Sequence, residues 1–163
     1  MSRRPARGSA RDPGFSERPG VNGDLPDINV WVALSIKEHP HHAAAMAYWS
    51  DLSPARIWFC RVTMMGLVRL LTQKAVAQRA TMTLRQALGF YSELAALSNI
   101  YGVAAEPSEI DVVLGQFVDL ELAPQHFTDA YLAAFAVCLG QRLVPFDKDF
   151  ERFEGLSLLR LST

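Results

Sequence analysis

Leu25-Pro26-Asp27-Ile28-Asn29-Val30, near the start of the chain, and Arg142-Leu143-Val144-Pro145-Phe146-Asp147, near its end, carry short apolar runs that lead into an aspartate. In open parallel α/β sheets, ligands bind beyond the carboxyl ends of the strands, close to the point where strand order reverses. An acid placed there on two strands therefore bears on fold and chemistry together. Asp129 has a different setting, because Thr128 reads as an N-cap and Asp129 then falls in the first turn of an apolar helix.

Outward from these runs, short β-prone stretches alternate with longer segments whose apolar residues recur at three and four, which is the α/β pattern. Strand candidates are the stretch into Asp27, Ile57 to Val62, a weak one around Val103, Arg142 to Phe146, and Leu156 to Leu161. Helical stripes run over His41 to Trp49, Met64 to Leu71, Leu84 to Leu97, Ile110 to Leu120 and Thr128 to Leu139. Leu84, Leu88, Tyr91 and Ala95 are one such stripe, and Tyr131, Ala134, Phe135 and Cys138 another. Faces of this kind pack on a sheet. No internal repeat and no glycine-rich phosphate loop interrupts the pattern.

The 163 residues fit one domain of ordinary size, and a 50% hydrophobic composition is ample for a two-sided core. A disordered or collagen-like chain is excluded. No apolar run approaches the roughly 20 residues needed to span a bilayer, and the Arg-rich start lacks the apolar stretch of a signal peptide, so a cytoplasmic protein is expected. Cys60 and Cys138 lie in apolar runs, where a free thiol behaves as a small core hydrophobe, and no disulfide is expected. The overall charge of -1 conceals an uneven distribution: residues 1–18 carry +3 and the rest -4. Overall charge therefore does not identify a nucleic-acid ligand, and any RNA contact has to come from a local patch. Residues 1–23, rich in Arg, Pro, Gly and Ser and without periodicity, read as a flexible extension, with residues 24–163 as the folded domain.

Each acid also has a purely structural reading. Asp27 suits the cap of a following helix, Asp129 answers a helix dipole, and Asp147 with Asp149 suits a turn and the next cap. Together they are harder to dismiss. Carboxylates converging at one sheet edge repel one another unless a cation or shared protons neutralise them, and a hard divalent ion with oxygen ligands is the natural neutraliser. Such an ion aligns an attacking water and stabilises charge building on a phosphodiester.

Asp27-Ile28-Asn29-Val30, Thr128-Asp129-Ala130-Tyr131-Leu132-Ala133-Ala134 and Leu143-Val144-Pro145-Phe146-Asp147-Lys148-Asp149-Phe150, taken in order, resemble the PIN domain, most closely the VapC toxin ribonucleases of toxin-antitoxin pairs. His39-Pro40-His41-His42 and Thr63-Met64-Met65-Gly66-Leu67-Val68-Arg69-Leu70-Leu71-Thr72 match one VapC branch in order and spacing, and the likeness spans about Leu25 to Leu161. The resemblance implies a three-layer α/β fold with a central, mostly parallel sheet of four or five short strands flanked by helices. It implies an endoribonuclease with Mg²⁺ or Mn²⁺ held by Asp27, Asp129 and Asp147, with Asn29, Asp149 and Thr63 accessory. It also implies an RNA substrate, a small antitoxin partner and a homodimer. The glutamate that family members commonly carry after the second strand falls on Met64, whose thioether is no ligand for a hard ion. That departure opens an alternative, a feebly active or inactive PIN-like module that mainly binds an antitoxin.

Arg61, Arg69, Lys148 and Arg152 flank the acidic motifs and suit phosphate contacts, which supply affinity without reading sequence. They suit ordinary solvated charge equally well. His39, His41 and His42 lack a zinc-like partner spacing and read as a surface helix start. Trp31, Trp49 and Trp58 read as core. A haloacid-dehalogenase phosphatase is disfavoured, because the loop at Asp27 lacks that family's second aspartate.

Overall fold

Among the described residues, five short strands pair in parallel in the order β3-β2-β1-β4-β5. They are β1 (Asp24–Pro26), β2 (Ile57–Phe59), β3 (Ile100–Val103), β4 (Arg142–Val144) and β5 (Ser157–Leu158). The structure is a computed structural model and describes residues 22–52, 56–118 and 121–162. The expected extension therefore lies, up to Val21, outside the described residues, as does Leu120 of the expected fourth stripe. Asn22 and Gly23, read from sequence as the end of that extension, are held against the domain. Asn22 Nδ2 donates to Leu139 O at 2.8 Å, and Gly23 has φ +115, where a Cβ would stand 2.8 Å from Arg56 O.

The helices α1 (Ile28–Ser35), α2 (His42–Ala47), α3 (Arg61–Leu71), α4 (Lys74–Ala77), α5 (Leu84–Ala95), α6 (Ile110–Val118) and α7 (Phe127–Leu139) cover the sheet. Successive strand residues point to opposite faces, and the packing follows that rule. Ile57 and Phe59 pack with Trp31 of α1, with Leu67 and Leu71 of α3 and with Ala87 of α5, whereas Trp58, Leu25 and Leu143 pack with α6 and α7. The result is three layers, helix on sheet on helix. Trp31 is fully buried and stacks on Phe59 with ring centroids 3.9 Å apart, so its reading as core holds. Cys60 is buried and free.

Three local expectations change. The second strand stops at Phe59, because Cys60 and Thr63 form a capping box that starts α3 at Arg61. Thr128 is not the N-cap of α7. A 3-10 turn, Pro124–His126, runs directly into the helix and moves its start to Phe127, with His126 in the cap position. Helix α1 was anticipated only through the fitness of Asp27 as a cap, and its extent was unread, since Val30, Trp31, Val32 and Ala33 are all buried and leave no stripe. This helix meets α3 closely: a Cβ on Gly66 would lie 2.7 Å from Ile28 Cδ1, so glycine is what admits the contact. No described helix is long and apolar enough to cross a membrane.

Candidate acidic site at the carboxyl edge of the sheet

Strand order reverses between β1 and β4. The connection from β1 leads to β2 on one side, and β4 opens the other side next to β5. Asp27 immediately follows β1, and Asp147 follows β4 with two residues between. The two ends are tied together, since Asp27 N donates to Val144 O at 2.9 Å. Asp27 is two residues beyond Leu25 and so on the α7 side of the sheet, where Asp129 occupies the first turn of the helix. The fold thus brings Asp27, Asp129, Asp147 and Asp149 from distant stretches to one edge.

Asp27 is only 5% exposed. Its Oδ1 accepts from Ile28 N at 2.7 Å and caps α1, which realises the structural role foreseen for it. Burial pushes its carboxyl up to about 6. The Ile28 and Asn29 amides pull the other way, and the charges of Asp129 and Asp147 add to the rise. Asp129 is likewise raised, first by burial. Its hydrogen bond with His126 opposes that, while the charges of Asp147 and Asp149 reinforce it. Asp147 is exposed and accepts from Asp149 N at 2.8 Å, capping the 3-10 turn Lys148–Arg152.

These four acids feel one another electrostatically without closing into a cage: among the described residues, no three His, Cys, Asp or Glu side chains are gathered to hold one ion directly. The reason lies in the caps, since Asp27 and Asp147 each spend an oxygen on a backbone amide. The donor set nevertheless fits Mg²⁺ or Mn²⁺. All its oxygens are hard, one acid is raised by burial and further by its like-charged neighbours, and such ions bind through few carboxylates while keeping several waters.

The accessory residues divide. Asn29 is exposed in the first turn of α1. Thr63 is fully buried, and its hydroxyl both accepts from Cys60 N and donates to Cys60 O at 3.0 Å, so it serves the start of α3. Met64 is partly buried against the α1/α3/α5 core. Arg61 and Lys148 are exposed at this edge. Arg69 stands eight residues further along α3, roughly 12 Å down the axis from Arg61, away from the acids. Arg152 is committed to Asp149, with Nη2 3.1 Å from Oδ1 and Nε donating to the main-chain oxygen at 2.9 Å.

His126 is the site member that sequence reading missed. Its Nδ1 lies 3.1 Å from Asp129 Oδ2 and 3.8 Å from Asp149 Oδ2, so one ring touches two of the acids. No motif marks it; the only signal is Pro124 opening the turn that carries it into the cap position of α7. Of the three clustered histidines, His41 lies against Phe146, with ring centroids 4.8 Å apart, while His42 Nδ1 contacts Ala33 O at 2.7 Å.

Comparison with known proteins gives this arrangement its family. The PIN domain model matches residues 25–156. Ribonuclease VapC41 of Mycobacterium tuberculosis is 36% identical over 143 residues, covering 85% of this chain and 98% of that protein. Ribonuclease VapC39 of the same organism is 32% identical over 125 residues, covering 76% of this chain and 87% of that protein. Among solved structures, VapC20 of M. tuberculosis, described as a sarcin-ricin loop cleaving toxin, superposes with a TM-score of 0.61 at 16% identity, covering 82% of this chain and 98% of that one. VapBC-1 of nontypeable Haemophilus influenzae gives 0.61 at 16% identity, covering 84% of this chain and 96% of that one. At those identities the superpositions speak for the fold, and the sequence matches speak for descent: the chain belongs to the PIN-domain family, in its VapC branch.

Proposed function

We propose that this chain is the toxin of a toxin-antitoxin pair, an endoribonuclease that hydrolyses RNA phosphodiester bonds with Mg²⁺ or Mn²⁺ held by Asp27, Asp129 and Asp147. The observation that carries the reading is the crowding of like charges at the β1/β4 edge, where Asp27 is buried and its carboxyl raised to about 6. Relatives at 36% and 32% identity are named ribonucleases, which supports the reaction class.

A bound ion supplies a water of lowered pKa and positive charge against the phosphodiester oxygens. The protein's part is positioning. The Ile28 amide fixes the plane of the Asp27 carboxylate, and His126 fixes that of Asp129. Because an ionised carboxylate only accepts, the latter bond calls for an imidazole proton on Nδ1. Asn29, beside Asp27, orients a water or a phosphate oxygen. Arg61 and Lys148 neutralise phosphates of the bound strand, a task Arg152 shares only by giving up Asp149. As the water oxygen bonds to phosphorus it releases a proton to solvent, the bond to the leaving ribose oxygen breaks, and that oxygen takes up a proton.

The same reading includes a small antitoxin and a homodimer. A groove of about 180 Å³ lined by Trp31, Leu34, Met46, Trp49, Leu94 and Leu97 offers apolar surface to such a partner, as do the exposed Leu84 and Leu88. The deciding experiment is RNA cleavage by the purified chain with and without Mn²⁺, alongside Asp27→Asn. Cleavage should require the metal and vanish in the variant; a fully active Asp27→Asn chain ends the assignment.

A further inference from the structure

We propose that the pocket lined by Arg61, Val62, Ala104, Glu106, Tyr131 and Phe135 is a subsite for a guanine base of the RNA strand. The proposal rests on the nuclease reading for its substrate and extends it to base preference.

The first support is position. Arg61 opens α3 at the carboxyl end of β2, Ala104 and Glu106 follow β3, and β2 is the strand next to β1. Val62, Ala104 and Tyr131 pack on the same face of the sheet as α7. Tyr131 is two residues beyond Asp129, about 200° around that helix, so the acid turns toward β1/β4 and the phenol toward β2/β3. Pocket and acids therefore stand side by side along one edge, about two strand spacings or ~10 Å apart. A strand laid along the edge with a phosphate at the acids presents a neighbouring base to the pocket.

The second support is chemistry. The pocket holds about 340 Å³, within the range of small-molecule sites, and combines aromatic wall, one cation and one carboxylate. Tyr131 OH donates to Glu106 Oε1 at 2.5 Å, which fixes both side chains before anything binds. A carboxylate offers about four acceptor positions and no donor, so Glu106 keeps capacity for a ligand. Among the bases, only guanine presents two adjacent donors, N1–H and N2–H, on its Watson–Crick edge. Adenine and cytosine place a ring acceptor beside the amino group, and uracil flanks its single donor with two carbonyls. Splayed single-stranded bases are read in this way, by stacking on aromatic rings or guanidinium planes and by hydrogen bonds to the pairing edge. Arg61 supplies that plane or a phosphate contact.

The test is titration of the ¹⁵N-labelled full-length chain with 5′-GMP, AMP, CMP and UMP without divalent metal, followed by NMR. GMP should shift the amides of Ala104, Tyr131 and Phe135 and bind at least tenfold tighter than the other three. Glu106→Gln, at an exposed position that the fold does not need, should bring GMP down to their level. Tyr131→Phe should weaken GMP several-fold and leave the others unchanged. Equal affinity for all four, shifts confined to other residues, no binding, or a preference untouched by Glu106→Gln overturns the proposal. Mn²⁺ added to the same sample separates the two readings. If broadening is missing around Asp27 and Asp129 while GMP selectivity persists, the metal assignment falls and the base pocket stands; broadening without selectivity gives the reverse.

Discussion

Strands β1 and β4 carry charge at both ends, and the two ends treat it in opposite ways. At the amino end, Asp24 is fully buried and receives two hydrogen bonds of 2.8 Å from Arg142 and another of 2.8 Å from Tyr48 OH. At the carboxyl end, three residues on, Asp27 is almost as buried but has backbone amides where Asp24 has a cation, and its nearest charged neighbours are other acids. One end is neutralised from within the fold. The other keeps its surplus of negative charge, which protons or a bound cation relieve. Similar residues on the same two strands are thus neutralised within the fold at one end and left crowded with like charge at the other, which is where we propose the ion binds.

The sharpest way to break the comparison is to make the amino end resemble the carboxyl end. Arg142→Leu leaves Asp24 buried without its cation, and urea unfolding should register a loss of about 3–5 kcal/mol. Replacing both partners, Asp24→Leu with Arg142→Leu, should cost far less than either single change, because no charge is then stranded. At the carboxyl end the sign inverts. With metal chelated, Asp27→Asn should stabilise the protein by about 3 kcal/mol at pH 7, since asparagine still caps α1 and the penalty of the raised carboxyl is gone. Between the ordinary carboxyl value of 3.8 and about 6, the folded chain binds more protons at Asp27 than the unfolded one, so wild-type stability falls as pH rises through that window. The gain from the variant should accordingly disappear below about pH 4, which thermal melts at several pH values would reveal. A smaller effect is expected from His126→Gln, which loosens Asp129. Mn²⁺ affinity measured by calorimetry should drop about tenfold with the fold intact. Smallest of all, Met64→Glu places an acid where the resemblance puts the family's glutamate, and should tighten Mn²⁺ a few-fold by added charge.

How far the sequence disclosed this arrangement depended on which interaction set each element. Strands that end on acids and helices with one wet face were readable, because burial on one side imposes a period; α7 buries Ala134 and Phe135 of its stripe, whereas α5 has the expected extent but turns Ala87, Phe90, Tyr91 and Leu94 inward and leaves Leu84 and Leu88 of the expected stripe exposed. Helix α1 showed only in the fitness of Asp27 as a cap, and its extent stayed hidden because its burial is nearly uniform. Asp27, Asp129 and Asp147 stood out through the motifs around them. His126 did not, since what places it beside two acids is a turn of backbone rather than a spacing. Glu106 and Tyr131 escaped for a related reason: 25 residues separate them, and only the layering of α7 over the end of β3 makes them neighbours.

Gly66 shows how far the demands of the acidic edge reach. Its missing side chain lets α3 rest against Ile28, the residue next to Asp27, with no slack for even a methyl group. The two helices are thereby in close contact at the residue that follows Asp27 and donates its amide to that carboxylate. A substitution there has to displace the side chain next to Asp27, so a change that looks like simple crowding of the interior bears on an acid it never touches.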